Sequence, residues 1–489
     1  MMNDRPSCEL CPDHRIACGH LPPADAEKLH EACLEVLDRT GVRFFLPEAV
    51  DILKKAGATV SDGNRVRIPP KLVEQALQTA PSEVRMFDRT GRPALELRDF
   101  NTYFGPGSDC LYILDHRTGE RRRPVPDDVV EAARLCDALP NIDFVMSMFL
   151  PTELDVAVTD RFQMEAMLNH TTKPIVFVTN EFSGTVDAVQ MAEAVAGGAD
   201  ELSDRPFVCC YINVTTGLRQ NEEALQKLLF LSERNIPFTY VPVTQGGATA
   251  PVTLAGSYIA MNAGVLAGLV LSQLNRAGAP FIAPGQGGES LDMRTLVSPY
   301  AAPDDRPLCR AMGHFYRLPV FGLAGCTDAK VLDQQAAAEA ALTLMSDSVG
   351  GANLIHDLGY LESGMCGSLA LLCICDEIVG WLRHLHKPIS LDEDALAVDV
   401  IDETGPDGSY MEHDHTFAHY RERYYPDLFD RDNYANWEAK GGSALGERAA
   451  EKASRLLDEH QPEPLPPETA RAVNEVVRKA AERAEGEHT

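Results

Sequence analysis

The chain has 489 residues, 45% of them apolar, and a formal net charge of −29 at pH 7. That length suits two to four domains or one large α/β barrel with extensions, and the apolar share is ample for a large core. The acidic surplus excludes nucleic acid and anionic membrane as partners, because both require a basic face.

The N-terminus, MMNDRPSCELCPDHRIACGH, is polar and lacks the apolar centre of a secretory signal. The most apolar run, Ala260–Leu274, contains Asn262 and Ser272 and falls short of the ~20 residues of a membrane span. Both predict a cytoplasmic protein. Most of the thirteen cysteines are scattered, and Cys209, Cys210, Cys373 and Cys375 sit in apolar runs, as reduced buried thiols do. Cys8, Cys11 and Cys18, with His14 and His20 between and beside them, form a compact cluster in residues 1–20. It is compatible with a structural zinc or with an unstructured tail.

Residues 21–100 read as an extension, with helices over 23–41 and 47–57 and a short β element at 64–70. From residue 101 a pattern recurs: an apolar, β-branched or aromatic run, often opened by Pro, then small or polar residues, then a helical stretch. The runs are NTYFGPG (101–107), IDFVMSMF (142–149), KPIVFVTN (173–180), RPFVCCYIN (205–213), IPFTYVPV (236–243), APFIAPG (279–285), LPVFGLAG (318–325) and NLIHDLG (353–359). Apolar runs without alternation predict parallel strands covered on both faces, and Pro is tolerated at a strand's first position. Helices are predicted over 126–139, 185–198 and 221–235. Eight such units predict a (β/α)8 TIM barrel over 101–387; no G-x-G-x-x-G turn favours an open doubly wound sheet. Residues 388–489 read as a helical C-terminal extension with an aromatic-rich stretch from Tyr410 to Trp437.

A barrel of this kind keeps its active site at the C-terminal strand ends. The residues assigned there are Tyr103, Phe104, Gly105 and Asp109; Phe149; Thr179 and Asn180; Tyr211 and Asn213; Thr244, Gln245, Gly246 and Gly247; Gln286, Gly287, Gly288 and Glu289; Cys326, Thr327 and Asp328; and His356, Asp357 and Tyr360. They show no metal spacing and no G-x-S-x-G elbow, and only Lys330 approaches a Schiff-base position. What they offer is aromatic faces, amides, a few acids and one His. Aromatic rings beside a carboxylate can hold a quaternary ammonium, at ~0.5–2 kcal/mol per ring. Such rings also serve as ordinary core, and His356 also fits a satisfied core histidine. The glycine pairs 246–247 and 287–288 have the form of a phosphate cradle, but no Lys follows either pair.

Several segments resemble the trimethylamine methyltransferase superfamily. They include YFGPGSDCLYILDHRTGERRRPVPDDVVEAARLCDALPNIDF, VTQGGATAPVTLAGSYIAMNAGVLAGLVLSQLNRAGAPFI, AGCTDAKVLDQQAAAEAAL, GANLIHDLGYLESGMCGSLALLCICDEIV and HDHTFAHYRERYYPDLFDRDNYANW. The resemblance implies a TIM barrel that passes a methyl group from a methylated amine to the Co(I) of a cobalamin-type corrinoid on a separate partner protein. Founding members carry pyrrolysine; this chain shows none, which points to the branch that uses quaternary amines such as glycine betaine. On that reading Tyr103, Phe104 and Tyr360 line an ammonium pocket and Asp109 balances its charge. Asn213, Gln245 and His356 bind a carboxylate end, and Gly246 and Gly247 leave room for substrate or corrin. No acid–base residue, no resident metal and a homo-oligomer are expected. The alternatives are a non-catalytic quaternary-amine binding or regulatory protein on the same barrel, and a methyltransferase of the trimethylamine type with another substrate.

Overall fold

The computed structural model describes residues 8–10, 16–18, 21–287, 291–302 and 304–487. Seven parallel strands make one curved sheet. In chain order they are Tyr103–Pro106, Ile175–Phe177, Val208–Val214, Phe238–Pro242, Phe281–Pro284, Val320–Leu323 and Leu354–Leu358. Each hydrogen-bonds its successor from Ile175–Phe177 onward, and Leu354–Leu358 returns to pair with Tyr103–Pro106.

The remaining gap is spanned by residues 142–149, the second of eight staves, which is not a regular strand. Asp143 N donates to Phe104 O at 2.7 Å, Val145 N to Pro174 O at 2.9 Å and Val176 N to Val145 O at 2.9 Å. Val145 forms an isolated parallel bridge with Ile175. The Asp143 carboxylate also accepts from Phe104 N at 2.8 Å, so a side chain takes up part of the ladder and the stave closes the barrel irregularly.

The prolines that open the runs behave as their chemistry requires. Pro174, Pro206, Pro237, Pro280 and Pro319 stand just before strands, and their carbonyls accept bonds from Val145, Phe87, Cys210, Phe238 and Ala283. A ring nitrogen without a proton therefore costs no ladder bond there. Helix starts are set by local caps: Pro126 opens Pro126–Ala138, Asp333 accepts from Gln335 N and Ala336 N ahead of Gln334–Gly350, and Ser368 accepts from Leu371 N ahead of Leu369–Leu385.

The apolar run of the sequence belongs to a longer helix, Leu254–Asn275. Its 22 residues are long and apolar enough to cross a membrane by length and composition, which corrects the shorter reading. In the fold, 72% of its most apolar window is buried, packed against the helices of the N-terminal extension and the outer face of Phe238–Pro242. A helix apolar all round is what a core position between two layers demands.

The extensions close the molecule. A hairpin of Val84–Phe87 and Pro93–Leu97 plugs the N-terminal end of the barrel. Phe87 N donates to Pro206 O and Arg89 N to Thr172 O, both at strand beginnings. Its Val84, Met86, Leu95 and Leu97 join Phe144, Met146, Val176, Cys209, Ile282, Phe321 and Leu354 in one buried interior cluster. At the other terminus, Leu445–Glu459 packs on barrel helices Leu369–Leu385 and Pro126–Ala138. Pro467–Glu487 packs on Val156–His170 and Phe182–Ala196. Strands Cys8–Leu10 and Ile16–Cys18 pair antiparallel with Cys8 opposite Cys18; Cys11, His14 and His20 lie outside the described residues, as do Gly288 and Glu289.

Candidate active site at the barrel mouth

Above the apolar plug the interior turns polar. His356 and Asp357 rise on the eighth stave, Tyr211 on the fourth, and Gln286 follows the sixth; all but Tyr211 are buried. The His356 ring lies 4.5 Å from Phe321 and 5.7 Å from Tyr211, centroid to centroid. A wall of rings and one imidazole thus stands between the apolar plug and the mouth.

His356 and Asp357 are neighbours in sequence, and strand alternation alone would send them to opposite faces. A register shift between Ile355 and Leu358, with Asp357 at φ +74°, turns the carboxyl back. Its Oδ1 comes within 3.3 Å of His356 Nε2. A non-glycine residue in the left-handed region carries strain of about 1–3 kcal/mol, which clusters at functional sites. His356 Nδ1 lies 2.7 Å from Gly322 O, so Nδ1 carries the proton and Nε2 turns its lone pair to Asp357. Burial lowers the imidazole to about 4. Burial raises Asp357 to about 8, while the Arg306 guanidinium pulls the other way. At pH 7 the pair is therefore mostly neutral: a protonated carboxyl facing an unprotonated nitrogen.

Gly107 makes this packing possible. A Cβ there would stand 2.0 Å from Asp357 Oδ1 and 2.5 Å from Tyr360 Oη. The Tyr360 hydroxyl donates to Ser108 O, so its ring, not its oxygen, is available to the interior. Asp109, at φ +65°, accepts from Gln163 Nε2 at 2.9 Å, and the same amide donates to Phe149 O at 2.9 Å. Withdrawal from water raises Asp109 to about 6. Gln286 Nε2 lies 3.4 Å from Tyr211 Oη, while Gln286 Oε1 and Thr239 Oγ1 are buried with no partner among the described residues. Buried polar atoms left this way call for a ligand or water.

The sequence-derived assignments separate accordingly. Asp109, His356 and Tyr360 come together at the mouth. Asn213, two residues beyond Tyr211 on the same strand, shares its face and is exposed. Tyr103 does not belong with them. It is the first residue of its strand, at the plugged end, and its hydroxyl accepts from Glu96 N at 3.1 Å. Phe104 packs on the outer face in the core between barrel and helices, with the Arg383 guanidinium 5.8 Å from its ring centre. Both assignments are corrected: the strand begins where it was read as ending.

Gln245 lies at the mouth, but its backbone makes a turn. Its carbonyl accepts from Ala248 N and Thr249 N, both at 2.9 Å, and Gly247 N donates to Ala250 O. Gly247, at φ +89°, serves that turn, and a Cβ there would stand 2.6 Å from the Met293 methyl. The space assigned to substrate or corrin at Gly247 is filled by Met293, and Gly246 is buried. Lys330 is exposed and donates to Asp328 O at 2.6 Å. Residues 327–330 are tied to the rim: the Asp328 carboxylate accepts from Tyr300 N at 2.8 Å and from Ser363 Oγ at 2.7 Å.

Sequence reasoning gave no role to Asp357, Gly107, Gln163 or Gln286. Only the bulge after Ile355 brings Asp357 inward, and no periodicity announces a bulge. Gly107, in FGPGSD, carried a trace of the close approach that a glycine before two polar residues permits.

A closed parallel barrel with buried polar groups under its C-terminal mouth is an enzyme scaffold with the active site in the usual place for the fold. The family described as trimethylamine methyltransferase (MTTB) matches residues 12–484, and the chain belongs to this family of methyltransferases. It is 32% identical to trimethylamine methyltransferase MttB of Desulfitobacterium hafniense strain DCB-2, over 92% of this chain and 91% of that protein. It is 30% identical to glycine betaine methyltransferase of D. hafniense strain Y51, over 94% and 96%. Among solved structures, the Methanosarcina barkeri monomethylamine methyltransferase aligns with a TM-score of 0.49 and 10% identity, over 90% and 88% of the two chains.

Proposed function

We propose that this chain transfers a methyl group from a quaternary amine of the betaine type to a corrinoid carried by a separate protein. The observation that carries the substrate reading is the neutral His356–Asp357 pair beside the rings of Phe321 and Tyr211. A buried carboxyl that is protonated on its own ionises when a cation arrives, because the cation replaces the lost solvation. Asp357 thus becomes the counter-charge, releasing its proton to water, while the rings add cation–π attraction. Asp109, held by Gln163, is raised only to about 6 and so adds a carboxylate that is mostly ionised at pH 7. Asn213, and Gln286 through its Nε2 amide, would donate to the carboxylate end of a betaine.

The chemistry asks little more of the protein. A quaternary ammonium leaves as a neutral tertiary amine, with the C–N electron pair staying on nitrogen, so no general acid is required. The docked partner's reduced cobalt supplies the nucleophile. This chain excludes water, holds the cation and aims one methyl outward. Exposed Val252, Met293, Leu296, Val331 and Met365 on the mouth loops suit the docking of a protein partner over the opening. The relative named glycine betaine methyltransferase supports the substrate class. We place the chain in the branch without pyrrolysine and in the cytoplasm. Exposed Ile389, Leu391, Val398, Met411 and Phe417 of the C-terminal extension support a homo-oligomer, which light scattering tests.

The decisive experiment is a panel of glycine betaine, proline betaine, carnitine and trimethylamine, scored by methyl transfer to cob(I)alamin. Transfer from a betaine is expected. Transfer from trimethylamine alone would replace the substrate, and tight betaine binding without transfer, even with a corrinoid protein, would establish the binding-protein alternative. Calorimetry at pH 7 in buffers of different ionisation enthalpy should register proton release on betaine binding; no release removes Asp357 as the counter-charge.

A further inference from the structure

The C-terminal extension contains a segment that hydrophobic burial does not hold. From Pro388 to Asp427 no residue is buried. The short helices Glu393–Leu396, Val398–Thr404 and Asp414–His419 contribute no buried side chain. Its hydrogen bonds to the barrel helix Leu369–Leu385 are made where it returns. There the Glu377 carboxylate accepts from Tyr424 Oη at 2.6 Å and from Asp427 N and Leu428 N at 3.1 Å, and Trp381 stacks on Tyr424. Helices of four to seven residues are not stable in water by themselves. Small units without a core are held by disulfides or metal ions.

The outer part of the arm gathers metal-binding chemistry. His415 and His419 stand one turn apart on Asp414–His419, with ring centroids 4.3 Å apart. His419 Nε2 lies 2.9 Å from Asp394 Oδ2, and His415 Nε2 lies 2.9 Å from Asp394 O. One ligand atom from each of Asp394, His415 and His419 falls within 4.8 Å of the others. The far side of one imidazole is also prepared: His419 Nδ1 lies 2.6 Å from Glu422 Oε1. A carboxylate on the second ring nitrogen is the usual partner of a metal-bound histidine, because it fixes the ring and its tautomer.

We propose that Asp394, His415 and His419 bind a zinc-class divalent cation, with Glu422 as a positioning residue, and that this ion staples the two halves of the arm together. Two imidazoles and a carboxylate suit zinc better than magnesium or calcium, which prefer all-oxygen sets. The i, i+4 histidine spacing is the one by which a helix presents two ring nitrogens to one ion. Zinc takes four ligands, so one position is left for water. The ion joins Glu393–Leu396 to Asp414–His419 across the 17 residues between them and does for the arm what a core does elsewhere. The site lies outside the barrel, and its failure would leave the methyl-transfer reading untouched.

The test uses the full chain with Cys8, Cys11 and Cys18 changed to Ser, so that the N-terminal thiols do not contribute. After incubation with Zn2+ and gel filtration, one zinc per chain is expected by atomic absorption. His415→Ala combined with His419→Ala should remove it. Asp394→Asn should weaken it, and Glu422→Gln should weaken it about 10–100-fold, as loss of an outer carboxylate does. Limited proteolysis gives an independent reading. With zinc at 100 times its dissociation constant, cleavage between residues 388 and 427 should slow about 100-fold. EDTA should abolish that protection, and the double variant should never show it. No zinc on the parent, equal zinc on the double variant, or cleavage indifferent to EDTA would each overturn the proposal.

Discussion

The two ends of the barrel treat buried polarity in opposite ways. At the plugged end, polar groups have fixed partners. Asp143 receives two bonds from Arg383, at 2.6 and 2.7 Å, and one from Phe104 N. Asn353 Nδ2 donates to the carbonyls of Arg98, Asp99 and Asn101. At the open end, Asp357 faces an uncharged imidazole, and Gln286 Oε1 has no partner among the described residues. One end is satisfied by the protein; the other is completed by what enters. In a barrel, the first serves stability and the second chemistry.

The sharpest way to break this contrast is Asp357→Asn. A charge-assisted contact worth about 1.5–3 kcal/mol would be lost, so kcat/KM for methyl transfer should fall about 10–100-fold. Stability should move the other way. The folded carboxyl titrates near 8 against 3.8 for the ordinary group, so its contribution is greatest below pH 4 and is lost as pH rises through 8. The Asn variant should therefore gain more in Tm over the parent at pH 8 than at pH 5. A pH-independent difference would falsify the buried neutral acid.

Gly107→Ala tests the same end through space. The added methyl collides with Asp357 and Tyr360, and activity should drop at least about tenfold, on the scale of an active site displaced by an ångström. Wild-type rates would mean that the close approach is not required. Arg383→Met tests the closed end. Leaving Asp143 without its cation should cost about 1–3 kcal/mol in denaturant unfolding while leaving KM unchanged; a raised KM would show that the two ends are coupled. The smallest effect belongs to Tyr103→Phe, which removes the acceptor for Glu96 N. About 0.5–1.5 kcal/mol of stability should go, with no change in turnover, and a large loss of rate would restore Tyr103 to the site.

The sequence made the barrel legible because prolines and unbroken apolar runs mark the strands that are covered on both faces. Six of the seven regular strands lie within the predicted runs, and Val208–Val214 overruns its run by one residue. The second, IDFVMSMF, was read as a strand, but the Asp143 side chain replaces part of its backbone pairing. The mouth was legible as a place more than as a mechanism. Tyr360 and Asp109 lie at the mouth because they follow strands, and His356 because it stands late in one. Tyr103 and Phe104 were misplaced by one strand length, since the aromatic pair opens its strand instead of closing it. Asp357 was placed at the mouth but given no role, because the bulge that turns its carboxyl toward His356 leaves no trace in composition. The charges that matter most are set by burial, which only the assembled fold determines.

The closing helix Pro467–Glu487 lies against Val156–His170 and Phe182–Ala196, the helices that follow the irregular second stave and the third. Asn474 Nδ2 reaches Glu165 at 3.0 Å, and Arg483 Nη2 reaches Asp187 at 2.6 Å. The irregular seam of the barrel is therefore buckled by a helix that follows all eight staves in the chain. On a ribosome delivering about 5–20 residues per second, the plug hairpin is made before the staves and the staves before the buckle. A nascent chain holds an unfastened barrel until that helix arrives, so the seam closes only after every stave has been made.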